Sequence, residues 1–172
     1  MTTSTNPTYN ASVPVFERSL GGLIACMDKA AANAEERKFG VDVMLTSRLA
    51  PDMLSFTNQV QIACDTAKFA VARLTGTEAP KFEDSEKTLA DLRERVVKTI
   101  AYVKSVPATS FEGAATRDVE VPRRNAEPRR FKGESYLNQF ALPNFYFHVA
   151  TAYGLLRHNG VPLGKMDFLN LG

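Results

Sequence analysis

Apolar side chains recur at steps of three and four residues along four separate stretches, and this spacing constrains the fold more than any other feature. The stretches cover residues 12–40, 51–76, 84–107 and 134–158. A period near 3.6 residues places such side chains on one face of an α-helix. Four amphipathic helices in one chain are typical of a four-helix bundle. The sequence therefore predicts an all-α fold of this kind.

The ends of the predicted helices follow from residues that start or stop a helix. Ser12, just before a proline, predicts the start of the first helix, and Pro51 predicts the start of the second. Asp84 or Ser85 is expected to cap the third helix, and the fourth begins near Glu134. Each stretch is followed by glycine or proline, which are typical of helix ends.

The segment between the third and fourth helices breaks the helical spacing. Val119 and Val121 alternate with polar residues, which predicts a short strand, and residues 130–132 form its expected partner in a small β-hairpin. The stretch from Val121 to Lys132 carries five basic residues and one acidic residue. We interpret this charge as a solvated loop, and the alternative is a surface for an anionic ligand or an RNA backbone.

Composition and charge narrow the class of protein. A net charge of +2 is too small to indicate a nucleic acid or an acidic membrane as partner. The polar start MTTSTNPTYN is unlike a signal peptide, and no apolar stretch approaches the roughly 18 residues of a membrane span. We therefore expect one cytoplasmic domain over residues 1–172, with no membrane or nucleic-acid partner. Cys26 and Cys64 are expected to be reduced thiols in the core.

The fourth predicted helix carries polar side chains on its apolar face. At about 100° per residue, Asn144, His148 and Thr151 share one arc with apolar neighbours. Pro143 has no amide hydrogen for the carbonyl of Gln139, so we expect a kink there. Buried polar groups are costly unless they form hydrogen bonds. These three side chains are therefore either core groups with partners or part of a ligand pocket.

A metal site or a catalytic centre needs more residues than this helix offers. Zinc and nickel usually take at least three imidazole, thiolate or carboxylate ligands, and the only histidines in the sequence are His148 and His158. No glycine-rich phosphate loop, CxxC, HExxH or nucleophile elbow occurs. A nucleophilic pair of Cys64 and His148 would depend on contacts between helices that the sequence does not specify. The sequence thus favours a core or pocket histidine over a metal ligand.

The end of the sequence resembles the last helix of the DinB/YfiT-like superfamily. In that superfamily a histidine is followed nine residues later by an arginine and then by a glycine-valine-proline exit, as at His148, Arg157 and residues 160–162. ASVPVFERSL, RLAPDMLSFTNQVQIACD and FALPNFYFHVATAYGLLRHNGVPLGKMDF resemble more specifically an uncharacterised, domain-of-unknown-function branch of the superfamily. The resemblance covers about Tyr9 to Phe168.

The resemblance implies a DinB-like four-helix bundle with a long crossover between its third and fourth helices, often in a homodimer. Many relatives bind a divalent metal through one histidine on the second helix and two, spaced four apart, on the fourth. Some of these are thiol-dependent transferases or hydrolases. His148 corresponds to the second histidine of the pair and Asn144 to the first, and Gln59 is the nearest polar residue to the position on the second helix.

Two of the three metal-ligand positions would then carry amides, which are poor ligands for zinc or nickel. An amide still offers hydrogen-bond donors and an acceptor. We therefore predict a degenerate metal site with no cofactor, whose ligand-binding residues are Gln59, Asn144, His148 and Thr151. It would serve as a pocket for a small molecule or as part of a structural homodimer. The alternative is a divalent-metal-dependent hydrolase or thiol transferase that holds zinc or nickel with His148.

Overall fold

Four long helices form a bundle in the computed structural model, which describes residues 6–171. In chain order the helices are α1 (Pro7–Asn10), α2 (Val13–Glu36), α3 (Phe56–Thr75), α4 (Leu89–Ser105), α5 (Gly133–Tyr136), α6 (Leu142–His158) and α7 (Lys165–Leu169). The four predicted helices correspond to α2, α3, α4 and the segment that ends with α6. The predicted DinB-like four-helix bundle, with a long crossover between its third and fourth helices, is confirmed.

Helix α3 is the most deeply buried of the long helices. It packs between α4 and α6, and α2 closes the bundle against the same two helices. The apolar face of α3 consists of residues with no exposed surface: Val60, Ala63, Ala67, Val71 and Leu74. Polar side chains on its two flanks therefore point toward α4 on one side and toward α6 on the other.

Helix α3 begins later than predicted, at Phe56 rather than at Pro51. The hydroxyl of Ser55 accepts a hydrogen bond from the amide of Asn58, which is the usual role of a serine just before a helix. The amide of Phe56 donates to the carbonyl of Ser47 at 3.0 Å. This bond closes a loop around Pro51, so the proline lies in a turn and not in the helix.

Helix α4 also begins later than predicted, at Leu89, and neither Asp84 nor Ser85 caps it. Thr88 accepts a hydrogen bond from the amide of Asp91, and the Asp91 carboxylate accepts one from the amide of Thr88. This reciprocal pair is a capping box, which satisfies two amides that a helix start leaves free.

A π turn joins α5 to α6 across Leu137–Ala141, so residues 133–158 form one continuous helical segment. The amide of Leu142 donates to the carbonyl of Leu137, five residues earlier, and Pro143 follows directly. A π turn holds one more residue than a regular turn and changes the direction of the side chains around it. The irregularity expected at Pro143 thus takes the form of a π turn before the proline.

The crossover contains the predicted hairpin, formed by β1 (Asp118–Arg123) and β2 (Ala126–Lys132) as antiparallel strands. Val119 and Val121 are buried against the bundle, and Phe131, which pairs with Val119, is half-buried. Residues 122–130, which include the turn, are exposed. The hairpin therefore has one apolar face on the bundle and a basic tip in solvent.

Helix α7 folds back against α2 at Gly22. A Cβ atom at Gly22 would lie 2.9 Å from the carbonyl oxygen of Phe168, closer than real Cβ contacts come. Lys29 on α2 forms an ion pair with Asp167 on α7 at 2.5 Å. Within residues 6–171, no helix has the length and apolar character that crossing a membrane requires.

Candidate functional site

His148 on α6 and Gln59 on α3 contact each other where the two helices pack. Nδ1 of His148 lies 2.7 Å from Oε1 of Gln59, and Nε2 of Gln59 donates to the carbonyl of Leu54 at 3.2 Å. An amide oxygen only accepts hydrogen bonds, so Nδ1 carries the ring hydrogen and Nε2 of His148 keeps its lone pair. The structure thus brings together two of the four predicted site residues.

Burial favours the neutral form of the His148 ring. His148 is 7 % exposed, and this burial lowers its pKa below the ordinary value of 6.5. A neutral imidazole with a protonated Nδ1 offers Nε2 as an acceptor or a base. Asp65, the one acidic residue of α3, forms ion pairs elsewhere and does not contact the ring.

The other two predicted residues have partners of their own. Nδ2 of Asn144 donates to Oγ1 of Thr66 at 2.8 Å, and Asn144 is half-buried rather than turned into the core. The hydroxyl of Thr151 donates to the carbonyl of Phe147 within α6 at 2.7 Å. Thr66 was not predicted, although its position seven residues after Gln59 places both on nearly the same face of α3.

These residues do not fit a divalent metal ion. Oε1 of Gln59 is occupied by the His148 ring, and the side chain of Asn144 bonds Thr66 instead of sharing a centre with His148. Across residues 6–171, no three His, Cys, Asp or Glu side chains lie together in a group that could hold a metal ion. A donor set of one imidazole and two engaged amides lacks the three strong ligands that zinc prefers.

Exposed apolar side chains lie next to the histidine. Phe147 is 57 % exposed and meets the His148 ring edge-to-face, with the ring centres 5.2 Å apart. Leu54, whose carbonyl accepts a hydrogen bond from Gln59, is 43 % exposed. Leu49, which is 46 % exposed, lies further along α6, where a Cβ atom at Gly154 would be 3.9 Å from its side chain. We call Leu49, Leu54 and Phe147 the apolar rim. Scattered exposed apolar residues are ordinary on protein surfaces, whereas a contiguous apolar patch indicates a contact surface.

A larger polar cluster lies on the other flank of α3, against α4. Arg95 is 3 % exposed, and its guanidinium pairs with Glu86 at 2.8 Å, Asp84 at 3.0 Å and Asp65 at 3.1 Å. We call these four residues the Arg95 cluster. Its two linker carboxylates, Asp84 and Glu86, tie the chain before α4 to the bundle. Arg95 was not among the predicted site residues, although the sequence carries a signal for it, because it falls on the apolar stripe three residues after Leu92.

Lys68 extends this cluster. Its ammonium group lies 2.9 Å from Asp65 and 4.6 Å from the centres of the Phe69 and Phe82 rings. A cavity of about 350 Å³ beside the cluster is lined by Phe82, Glu86 and Arg95 among others. The Nε of Arg95 is the one nitrogen of its guanidinium that is buried without an acceptor. The cluster is otherwise closed by its own opposite charges.

The comparison with known families decides where the chain belongs. The family model for a domain of unknown function, DUF1993, matches residues 8–169. The chain belongs to this family. A crystal structure at 1.83 Å resolution of a DinB family member protein from Shewanella denitrificans is similar to this DUF1993 domain, with 46% sequence identity and a TM-score of 0.87. The similarity covers 95% of this chain and 91% of that one.

These findings confirm that the domain is DinB-like and belongs to a branch of unknown function. Among curated proteins, no match to this DUF1993 domain is found.

Proposed function

We propose that this DUF1993 domain binds a small polar ligand through His148 and Gln59 without a metal ion. The observation that carries the proposal is the 2.7 Å contact between Nδ1 of His148 and Oε1 of Gln59. Because the carbonyl of Leu54 holds the Gln59 amide, the orientation and the tautomer of the ring are fixed. Nε2 then accepts a hydrogen bond from a hydroxyl, amide or ammonium group of the ligand.

The competing hypothesis is a divalent-metal-dependent hydrolase or thiol transferase that uses His148. It requires two further ligands, and both Gln59 and Asn144 would have to leave their present partners to serve. Even then the site would have one imidazole and two neutral amides, a weak set for zinc or nickel. The geometry therefore favours the metal-free pocket.

The metal question is tested by elemental mass spectrometry on untagged protein, before and after incubation with zinc and nickel. We expect less than about 0.1 metal ion per chain, because structural zinc sites are four-coordinate with nitrogen and sulfur ligands. His148→Ala is the test variant, and His158→Ala, which removes the other histidine, is its matched control. Roughly one metal ion per chain in wild type and in His158→Ala, lost only in His148→Ala, would overturn the proposal in favour of the metal enzyme.

Ligand binding is tested by NMR of the His148 ring during titration with simple alcohols, primary amides and primary amines. We expect at least one class to shift the Nε2 signal and leave Nδ1 protonated, because Gln59 keeps its hydrogen bond. In Gln59→Leu the ring loses this anchor, so the same probe should bind more weakly. A His148 ring that no probe perturbs would count against the pocket and leave the histidine as a core group.

We further propose that the domain forms a homodimer through the apolar rim. This proposal is supported by the exposure of Phe147 and Leu54 at the site and of Leu49 further along α6, where a second copy would cover them. Light scattering at about 100 μM should give twice the monomer mass, and Phe147→Glu should give the monomer, because a buried charge without a partner opposes association. The control, Val97→Glu, changes an exposed valine on α4. A wild-type monomer, or a dimer that Phe147→Glu leaves intact, contradicts the proposal.

A further inference from the structure

Two arginines lie against aromatic rings where the hairpin meets α3 and the π turn. Cζ of Arg73 is 5.0 Å from the ring centre of Phe69 and 5.8 Å from that of Tyr136. Cζ of Arg129 is 5.8 Å from the ring centre of Phe140. Among residues 6–171, no carboxylate lies within 4.0 Å of either guanidinium. Both cations are thus held by ring faces and not by opposite charges.

Most hydrogen-bond donors of these two arginines are unused by the protein. Nη1 of Arg73 donates to the hydroxyl of Tyr136 at 3.1 Å, and the guanidinium of Arg129 donates to no acceptor within the described chain. A guanidinium has five N–H donors in a planar fork. By contrast, the guanidinium of Arg130, next to Arg129 in the sequence, is bonded to Glu120 at 2.9 Å on the other face of the hairpin.

The rings beneath the two arginines form a connected platform. Tyr136 and Phe140 are stacked with their centres 6.0 Å apart, and Phe131 of the hairpin lies 5.6 Å from Phe140. Phe69, whose ring also contacts Arg73, is 37 % exposed. Phe140 belongs to the π turn, and π turns are rare and frequent at functional sites. Exposed apolar surface at Phe69 thus lies beside Arg73, whose charge no carboxylate of the described residues neutralises.

We propose that Arg73 and Arg129 bind a small organic anion whose carboxylate or phosphate group is attached to a planar ring. The planar guanidinium fork matches both anions in shape and charge, and the exposed edge of Phe69 offers the contact for the ring. Phe140 and His148 are eight residues apart, about 12 Å along a helix. The anion site is therefore separate from the His148–Gln59 pair and does not rest on the function proposed for it.

The experiment is a calorimetric and NMR titration with phenyl phosphate and with benzoate, which separate the two anion classes. We expect saturable binding of at least one probe with a Kd below about 1 mM, weakened roughly tenfold in Arg73→Gln and in Arg129→Gln, which corresponds to about 1.4 kcal/mol per lost contact. Arg130→Gln is the matched control and should bind like wild type, because its guanidinium already pairs with Glu120. Added salt should weaken binding.

Several results would overturn this proposal. One is that neither probe saturates the protein at about 10 mM. Another is that uncharged phenol binds as tightly as the two anions, and a third is that both arginine variants bind the probes with wild-type affinity. His148→Ala should bind both probes normally, and a loss of binding there would place the anion at the histidine instead. Circular dichroism and thermal unfolding establish that each variant is folded, and Arg129→Lys, which keeps the charge, should recover part of the affinity.

Discussion

Helix α3 carries a polar group on each flank, and the two groups differ in how many of their charges and hydrogen-bonding atoms have partners within the protein. On the side of α4, the charge of Arg95 is matched by Asp65, Asp84 and Glu86. On the side of α6, Gln59 holds one nitrogen of a neutral His148 ring and leaves the lone pair of the other available. The ionic group is closed by the protein itself, whereas the neutral group has an acceptor to offer.

The physical reason lies in the cost of burial. A charge removed from water loses several kcal/mol of hydration, which only well-placed opposite charges and hydrogen bonds recover. Arg95, at 3 % exposure, is therefore tolerated because three carboxylates surround it. A neutral imidazole loses far less hydration, so His148 is tolerated with a single partner. Buried polarity alone thus does not mark a binding site, and an unused acceptor is the better indicator.

The largest predicted effect comes from removing the charge of Arg95. Arg95→Met leaves Glu86 and Asp84 without their cation, although Asp65 keeps Lys68, so we expect the free energy of unfolding to fall by about 3 kcal/mol. For a chain of this length that corresponds to a loss of roughly 6–12 °C in Tm. Urea and thermal unfolding followed by circular dichroism measure both quantities.

The matched control for this variant lies two residues earlier on the same helix. Arg93 forms a surface ion pair with Asp28, at 2.7 Å, in which both side chains are about half exposed. Arg93→Met should therefore cost less than about 1 kcal/mol. Equal losses in Arg93→Met and Arg95→Met would show that the Arg95 cluster contributes no more than an ordinary surface pair.

A smaller predicted effect separates the two groups by pH. Burial lowers the pKa of His148 below 6.5, so below that pH the unfolded chain binds more protons than the folded one. The histidine should therefore reduce stability as pH falls from about 6.5, by at most roughly 1.4 kcal/mol per pH unit. His148→Gln should flatten this slope, measured by urea unfolding between about pH 7.5 and pH 5.

The control for the pH experiment is Thr151→Val, which removes a buried polar group that does not titrate. It should lower stability by a similar amount at every pH in this range, because its hydroxyl bonds only the Phe147 carbonyl.

The Arg95 cluster responds at lower pH. Burial opposes ionisation of Glu86, but hydrogen bonds from Arg95 and Gln61 outweigh it and hold the pKa of Glu86 below 4.5. The contribution of Glu86 to stability is lost only as pH falls through that lower value.

Identical slopes of stability against pH in wild type and His148→Gln would contradict the lowered pKa of His148.

The elements that the sequence predicted well depend on repeated signals within one segment. The apolar stripes of four helices and the alternation at Val119 and Val121 each involve several residues, and the structure contains all of these elements. The start of α3 was predicted wrongly because Pro51 and Ser55 both carry start signals, and only the loop closed by Ser47 favours the second. Competing local signals are decided by contacts with other parts of the chain.

The candidate site was predictable only in part. The choice of Gln59 as a companion of His148 followed from the resemblance to DinB-like proteins, and the two side chains are in contact. The pairing of Asn144 with Thr66 and the burial of Arg95 depend on which residues of two helices face each other. Periodicity gives the face of each helix, but it does not give the relative height or rotation of two packed helices.

The close packing of α7 on α2 has a consequence for folding during synthesis on the ribosome. Lys29 and Asp167, which join the two helices, are 138 positions apart in the sequence. At about 5–20 residues per second, roughly 7–28 s of synthesis separate them. Until α7 has been synthesised, the surface of α2 around Gly22 therefore lacks the helix that packs on it in the folded protein.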